Sequence, residues 1–310
     1  MSQTAFLFPG QGSQAAGMGK ALAGAFPAAR SVFEQADDAL GFSISALCFE
    51  GPDDRLRLTE NTQPALLAVS IAAFRVLSEL GYRPAFVAGH SLGEYSALVA
   101  AGSLDFSDAL RLVRNRGRYM QQAVPPGAGA MAAILMPPLD KLDSILAEAA
   151  QGEIVSAANF NSPGQLVIAG HAGAVARASE ALKAAGAKRA VPLPVSAPFH
   201  CALMTPAQQQ LKADLDATTF RDLSVPLINN VHAARVTAGA DARQGLYLQV
   251  PGAVRWTDSM RALAGAGVSR AVEVGAGAVL CGLMKQIDPN VRTAKFGDPA
   301  DLEKLRELLD

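Results

Sequence analysis

The spacing of apolar positions divides the chain into three stretches. From residue 2 to about 125, a short apolar run, a glycine-rich turn and helix-period segments follow one another, and a second short run at 85–88 leads into the turn around Ser91. Strands alternating with helices in this way specify an α/β fold. Between 129 and 195 the texture changes to an apolar run (130–136), a helical pattern (139–150), two strand-like runs (154–158 and 166–169), an alanine-rich helix (172–185) and a last strand (190–195). Strand, helix, strand, strand, helix, strand is the ferredoxin-like order. The pattern therefore predicts a small ferredoxin-like subdomain at 126–197 inserted into a larger α/β domain built from 1–125 and 198–310. Segments 123–130 and 192–200 would be the hinges. After the insertion come a helix (205–217), a strand (226–231), a helix (256–266) and a strand (269–277), so the first and last parts should share one parallel sheet.

One turn concentrates candidate chemistry. Gly89-His90-Ser91-Leu92-Gly93 fits G-x-S-x-G, in which a serine on a sharp strand-to-helix turn projects its hydroxyl and small neighbours avoid clashes. The run 85–88 before it, and a helical segment 94–101 stopped by Gly102, supply the required context. A helix N-cap serine among tightly packed glycines has the same local signature, so the pattern alone leaves both readings open. A serine nucleophile needs a base, and there are four histidines. His90 is adjacent and expected to point away, His171 and His232 each follow a strand, and His200 lies at a hinge. A hydrolase of the α/β-hydrolase type would place its histidine late and often carry an H-G-G-G loop; here no histidine follows His232 and no such loop occurs. The first strand instead ends in "LFPGQGSQ" (7–14), whose N–H groups could face an anion, although it lacks the lysine and spacing of a phosphate loop.

Helical periodicity singles out one cation. On a helix over 107–122, Arg111, Arg114 and Arg118 share a face, whereas Arg116 falls with Ala109, Leu112, Val113 and Met120 on the apolar side. A buried guanidinium is costly without an anion. The partner is either a buried carboxylate such as Glu94 or Asp105, or the carboxylate of a ligand held in a bidentate pair that lysine could not reproduce.

Composition narrows the classes further. Half of the 310 residues are apolar, and 27 basic against 28 acidic residues leave a net charge of −1. Nothing in that balance points to nucleic acid or an anionic membrane. The N-terminal segment lacks a basic region and a long apolar core, and the most apolar helical stretch (64–77) is shorter than a bilayer span and contains Arg75. A cytoplasmic protein is expected. Cys48, Cys201 and Cys281 are odd in number and far apart, which fits neither a disulfide framework nor a zinc site, so no metal is expected.

Seven motifs in order, "FPGQGSQ", "TENTQPAL", "GHSLGEYSALVAAG", "RGRYMQ", "NFNSPGQLVIAG", "APFHCALM" and "EVGAGAVLCGL", resemble the malonyl-CoA:acyl carrier protein transacylases over nearly the whole chain. The resemblance implies a hydrolase-like large domain and a transferase of fatty acid biosynthesis. It makes Ser91 the acyl-carrying nucleophile and His200 its base, oriented by the backbone carbonyl of Gln249 rather than by an aspartate. The N–H groups of Gln11 and Leu92 would form the oxyanion hole, and Arg116 would take the malonate carboxylate. Gln63, Met120, Asn159, Asn161, Phe199 and Val279 would line the cleft, with Leu92 and Phe199 leaving little room for an α-methyl branch. No cofactor is implied, because the coenzyme A thioester is itself a substrate; the implied partners are malonyl-CoA and acyl carrier protein, and the expected state is a monomer. Arg111, Arg114 and Arg118, or Lys188 and Arg189, could meet the acidic carrier. The alternatives are a serine hydrolase or thioesterase, or an acyltransferase of a polyketide or malonate pathway. The sequence departs from many members at Ala253 and Ala276, where they have proline, and at Phe199, where many stand-alone members have serine.

Overall fold

The structure is a computed structural model that describes residues 3–195 and 197–310; Met1, Ser2 and Ser196, at the expected first strand and second hinge, lie outside the described residues. In chain order the strands are β1 (Gln3–Phe8), β2 (Phe86–Gly89), β3 (Gly129–Leu135), β4 (Val155–Ser162), β5 (Gln165–His171), β6 (Arg189–Pro192), β7 (Leu227–Ile228), β8 (Arg235–Val236), β9 (Val268–Val274) and β10 (Arg292–Phe296). Six form one sheet in the order β10-β9-β1-β2-β7-β8, and four form a second in the order β4-β5-β3-β6. The first is parallel except where β8 returns against β7. It draws β1 and β2 from the first part of the chain and its other strands from the last.

β1 shows why this sheet is interior. Phe6 and Phe8 join the core under the long helix Thr59–Glu79, while Ala5 and Leu7 join a second core around Trp256 and Met284. Alternate residues are apolar on both faces, as a parallel strand covered by helices on each side requires. The second sheet is antiparallel. Ala132 and Ile134 of β3 pack with Leu146 and Leu182 of the helices Leu142–Ala150 and Ala172–Ala184, while Met131 and Ala133 turn to the main core. Phe160 N donates to Val254 O at 2.9 Å and Val254 N to Ala158 O at 2.8 Å, tying β4 to the segment before the helix Trp256–Gly265.

Two expected strands are shorter than their apolar runs, and both differences feed the site. β6 ends at Pro192 rather than continuing to residue 195: Leu193 N still donates to Met131 O at 2.9 Å, but Pro194 has no N–H to carry the ladder further. β7 keeps only Leu227 and Ile228 of the expected 226–231. Asn229 N turns to Ala234 O, and Asn230 N to the carboxylate of Glu94. β4, by contrast, runs on from the expected 154–158 to Ser162.

Candidate active site

Ser91 sits at the carboxyl end of β2, between the strand and the helix Gly93–Ala100, where open parallel sheets place their sites. Both flanking glycines are needed for close approach: a Cβ on Gly89 would overlap the Gly93 carbonyl, and one on Gly93 would overlap the Phe8 carbonyl at the end of β1. Ser91 itself has φ 50°, a conformation that side-chain-bearing residues hold only when their surroundings over-determine it. Asn230 does so from both sides. Its Oδ1 accepts from Ser91 N at 2.7 Å, and its Nδ2 donates to Gly89 O at 2.7 Å.

The Ser91 hydroxyl lies 2.7 Å from His200 Nε2. His200 Nδ1 is 3.0 Å from the carbonyl oxygens of both Gln249 and Gly252. Carbonyls only accept, so Nδ1 carries the proton and Nε2 presents its lone pair to the serine. Burial, and then the neighbouring Arg116 charge, push the His200 pKa down to about 3. The imidazole is therefore neutral at physiological pH, the form a general base needs.

Arg116, on the helix Phe106–Gln122, is 2% exposed. Its Nη1 donates to Gln63 Oε1 at 2.7 Å, and its Nη2 to Gln249 Oε1 at 2.9 Å and Ser91 Oγ at 3.1 Å. Nε is buried without a hydrogen-bond partner. Neither expected carboxylate pairs with it: Asp105 caps its own helix, accepting from Ser107 N, and Glu94 accepts from Asn230 N and Gln249 Nε2. Among the described residues no carboxylate lies within ion-pair distance of this guanidinium. A buried cation ringed by neutral oxygens beside a nucleophile could accept an anion from outside.

These groups open onto a narrow cavity of about 120 Å³, shared by Gln11, Gln63, His90, Leu92, Met120, Asn159 and Phe199. Gln11 reaches it because the loop after β1 lies on the elbow, where Gly10 has no room for a side chain against the His90 carbonyl.

An acyl transferase domain model matches residues 5–288. The chain is 49% identical over 309 residues to the malonyl CoA-acyl carrier protein transacylase of Escherichia coli, covering 99% of this chain and 100% of that protein. It is 49% identical over 304 residues to that of Bacillus subtilis, covering 98% and 96%. This chain belongs to the malonyl CoA-acyl carrier protein transacylase family. An acyl carrier protein S-malonyltransferase from Vibrio cholerae matches with a TM-score of 0.96 at 47% identity, over 98% of this chain and all of that one. A malonyl-transacylase solved in complex with its type II PKS acyl-carrier protein matches with a TM-score of 0.96 at 48% identity, over 99% of each.

In this transacylase, nine of the twelve residues singled out from sequence line the cavity, and the other three lie elsewhere. Gln249 is fully buried behind the nucleophile. Asn161 stands one step back, its Oδ1 2.9 Å from His90 Nε2. Val279 is 51% exposed at the head of the helix Val279–Ile287, whose Leu280, Leu283 and Met284 take the core side. It is not among the residues that line this cavity, unlike most of the residues singled out with it. His90 corrects an expectation: it faces the cavity, because the φ of Ser91 breaks the alternation that would have put neighbouring side chains on opposite sides. Sequence reading missed Met131, Leu193 and Val195 in the cavity wall and Asn230 behind the elbow. The Asn229-Asn230 pair directly after a buried strand was the one available signal. Cys201 donates to Pro198 O at 3.1 Å, and burial pushes its pKa up to about 11, which leaves it a poor nucleophile beside His200. Among the described residues no helix is long and apolar enough to cross a membrane.

Proposed function

We propose that the protein transfers malonyl from malonyl-CoA to the phosphopantetheine thiol of acyl carrier protein, supplying fatty acid biosynthesis, through a malonyl ester on Ser91. One oxygen carries the reading. Ser91 Oγ lies within hydrogen-bond distance of both His200 Nε2 and Arg116 Nη2, so nucleophile, base and carboxylate reader converge on one point. His200 accepts the hydroxyl proton at Nε2 as Oγ attacks the thioester carbonyl. The Gln249 and Gly252 carbonyls hold Nδ1–H and offset the charge of the imidazolium. When the oxyanion collapses the C–S bond breaks, and the imidazolium gives its proton to the coenzyme A thiolate. The carrier thiol then loses its proton to His200 and attacks the ester, and Ser91 Oγ leaves with the proton returned.

For the oxyanion we assign the amides of Leu92 and Gln11. The other amides of the elbow are spent: Ser91 N on Asn230, Gly93 N on His90 O and Glu94 N on Ser91 O. Leu92 heads the helix between them, and each such donor is worth about 2.7–4 kcal/mol in the transition state. The malonyl carboxylate would replace the neutral Ser91 Oγ contact of Arg116 with a charge-assisted pair, while Gln249 Oε1 keeps its place on Nη2. It would also offset the charge that helps to hold the His200 pKa down, so binding the right acyl group strengthens the base. Coenzyme A enters as substrate, and no step calls on a metal or a further cofactor.

For docking of the acidic carrier we favour Lys188 and Arg189, exposed where β6 leads to the cavity wall. Arg111 is already paired with Asp108 at 2.6 Å, Arg114 lies over the Phe42 ring, and Arg118 donates to Asn115. A transferase differs from a thioesterase in the fate of the ester. Enzyme loaded with malonyl-CoA and freed of excess should keep its ester in buffer and lose it on adding holo-acyl carrier protein, with malonyl appearing on the carrier. Discharge to water as fast as to the carrier would replace this reading with the hydrolase.

A further inference from the structure

Behind the nucleophile lies a carboxylate for which the transfer steps have no use. Glu94 is 1% exposed, yet a single oxygen of it, Oε2, accepts from Asn230 N at 2.9 Å and Gln249 Nε2 at 2.9 Å. Its Oε1 is buried without a partner. The same Gln249 Nε2 also donates to Ser91 O at 3.1 Å, while Gln249 Oε1 accepts from Arg116 Nη2 at 2.9 Å.

We propose that Glu94 is a positioning residue for acyl selection: its Oε2 fixes which way round the Gln249 amide sits, and so presents Gln249 Oε1 to Arg116. The alternative orientation would turn the Gln249 carbonyl toward two acceptors, Glu94 Oε2 and Ser91 O, and its NH₂ toward the donors of Arg116. Both contacts would be unfavourable at an amide and a carboxylate buried as deeply as Gln249 and Glu94. The orientation thus runs from Glu94 through Gln249 to the guanidinium. A second arm runs from the same oxygen to Asn230, whose side chain brackets the elbow at Ser91 N and Gly89 O. One atom sets the nucleophile and the carboxylate reader relative to each other. The device needs an acceptor at this position rather than a charge, because a proton on Glu94 would go to the unpartnered Oε1 and leave both bonds at Oε2 in place.

The inference rests on the proposed role of Arg116, and the experiment separates the two. Rates of Ser91 acylation by malonyl-CoA and acetyl-CoA would be measured for Glu94→Gln, Glu94→Met and Gln249→Met, with thermal melts to confirm folding. Glu94→Gln keeps an acceptor oxygen and should hold the malonyl-to-acetyl ratio of kcat/KM within about twofold of the parent, whereas Glu94→Met should lower it about tenfold, mainly through KM for malonyl-CoA. Gln249→Met removes the relay from its other end and should lower the ratio similarly, which keeps the test open if Glu94→Met does not fold. In the double variant the two losses should not add. Equal loss for both acyl groups, loss in Glu94→Gln as large as in Glu94→Met, or additive losses would each overturn the proposal. Arg116→Ala serves as the control: an unchanged ratio there would mean that the arginine reading itself is wrong, whatever Glu94 does.

Discussion

The two walls of the cavity are made in opposite ways. The wall from the large sheet is polar and, apart from the half-buried Ser91, fully buried: Ser91, Arg116, His200, Gln249, Glu94 and Asn230 are linked by hydrogen bonds of 2.7–3.1 Å. The facing wall, from the antiparallel sheet and the segment after it, is mainly apolar, with Met131, Leu193 and Val195 joined by Asn159. A buried polar network tolerates little change, because each lost partner strands another group. An apolar wall yields by degrees as its volume changes. Reaction and acyl-carboxylate reading should therefore depend steeply on the first wall, and tolerance of acyl size gradually on the second.

The steepest test is Ser91→Ala, which should abolish the acyl-enzyme and lower transfer by at least about a thousandfold, read by carrier malonylation in stopped reactions. Next, Arg116→Ala should cut malonyl loading about a hundredfold while acetyl loading holds or rises, since only malonyl offers a carboxylate; an equal fall for both would break the assignment. Phe199, 9% exposed in the cavity lining, belongs to the graded class. Phe199→Ala should raise α-methylmalonyl relative to malonyl transfer about tenfold, measured by competition between the two thioesters. Charge reversal at Lys188 and Arg189 should be smaller still. It should slow transfer to carrier protein several-fold at low salt and leave loading from malonyl-CoA unchanged.

Acidity sharpens the contrast within the polar wall. His200 has a folded pKa near 3 against 6.5 when unfolded, so the unfolded chain binds its proton first, and stability is lost as pH falls from about 6.5 toward 3. Burial raises Glu94 from 4.5 to about 7, which has the opposite sign: its contribution is full below 4.5 and is lost as pH rises through 7. Urea unfolding at stepped pH should show that His200→Ala flattens the acid loss by a few kcal/mol and Glu94→Gln flattens the loss near neutrality. Unchanged slopes would contradict the burial argument.

Much of the first wall was legible in sequence because its cues are local. The glycine spacing about Ser91 encodes a close approach of strand and helix, and the position of Arg116 against the 3.6-residue period marks a buried cation. The element order, with the insertion between β2 and β7, was legible from hydrophobic runs. Three features had no such cue. Met131 reads as an ordinary β3 core residue, and Leu193 and Val195 as strand; only Pro194, which cannot carry the β6 ladder further, turns that segment toward the site. Asn230 and Glu94 meet across 136 residues through a backbone amide, which no spacing can announce. Val279 was assigned by motif alone, and the apolar face of its own helix turns it outward.

The most direct measurement is intact mass after brief exposure to malonyl-CoA, with peptide mapping and then addition of holo-acyl carrier protein. The account predicts one malonyl adduct on Ser91, absent in Ser91→Ala and discharged onto the carrier thiol. An adduct at another residue, or malonyl-CoA consumed with no malonyl reaching the carrier, would contradict it.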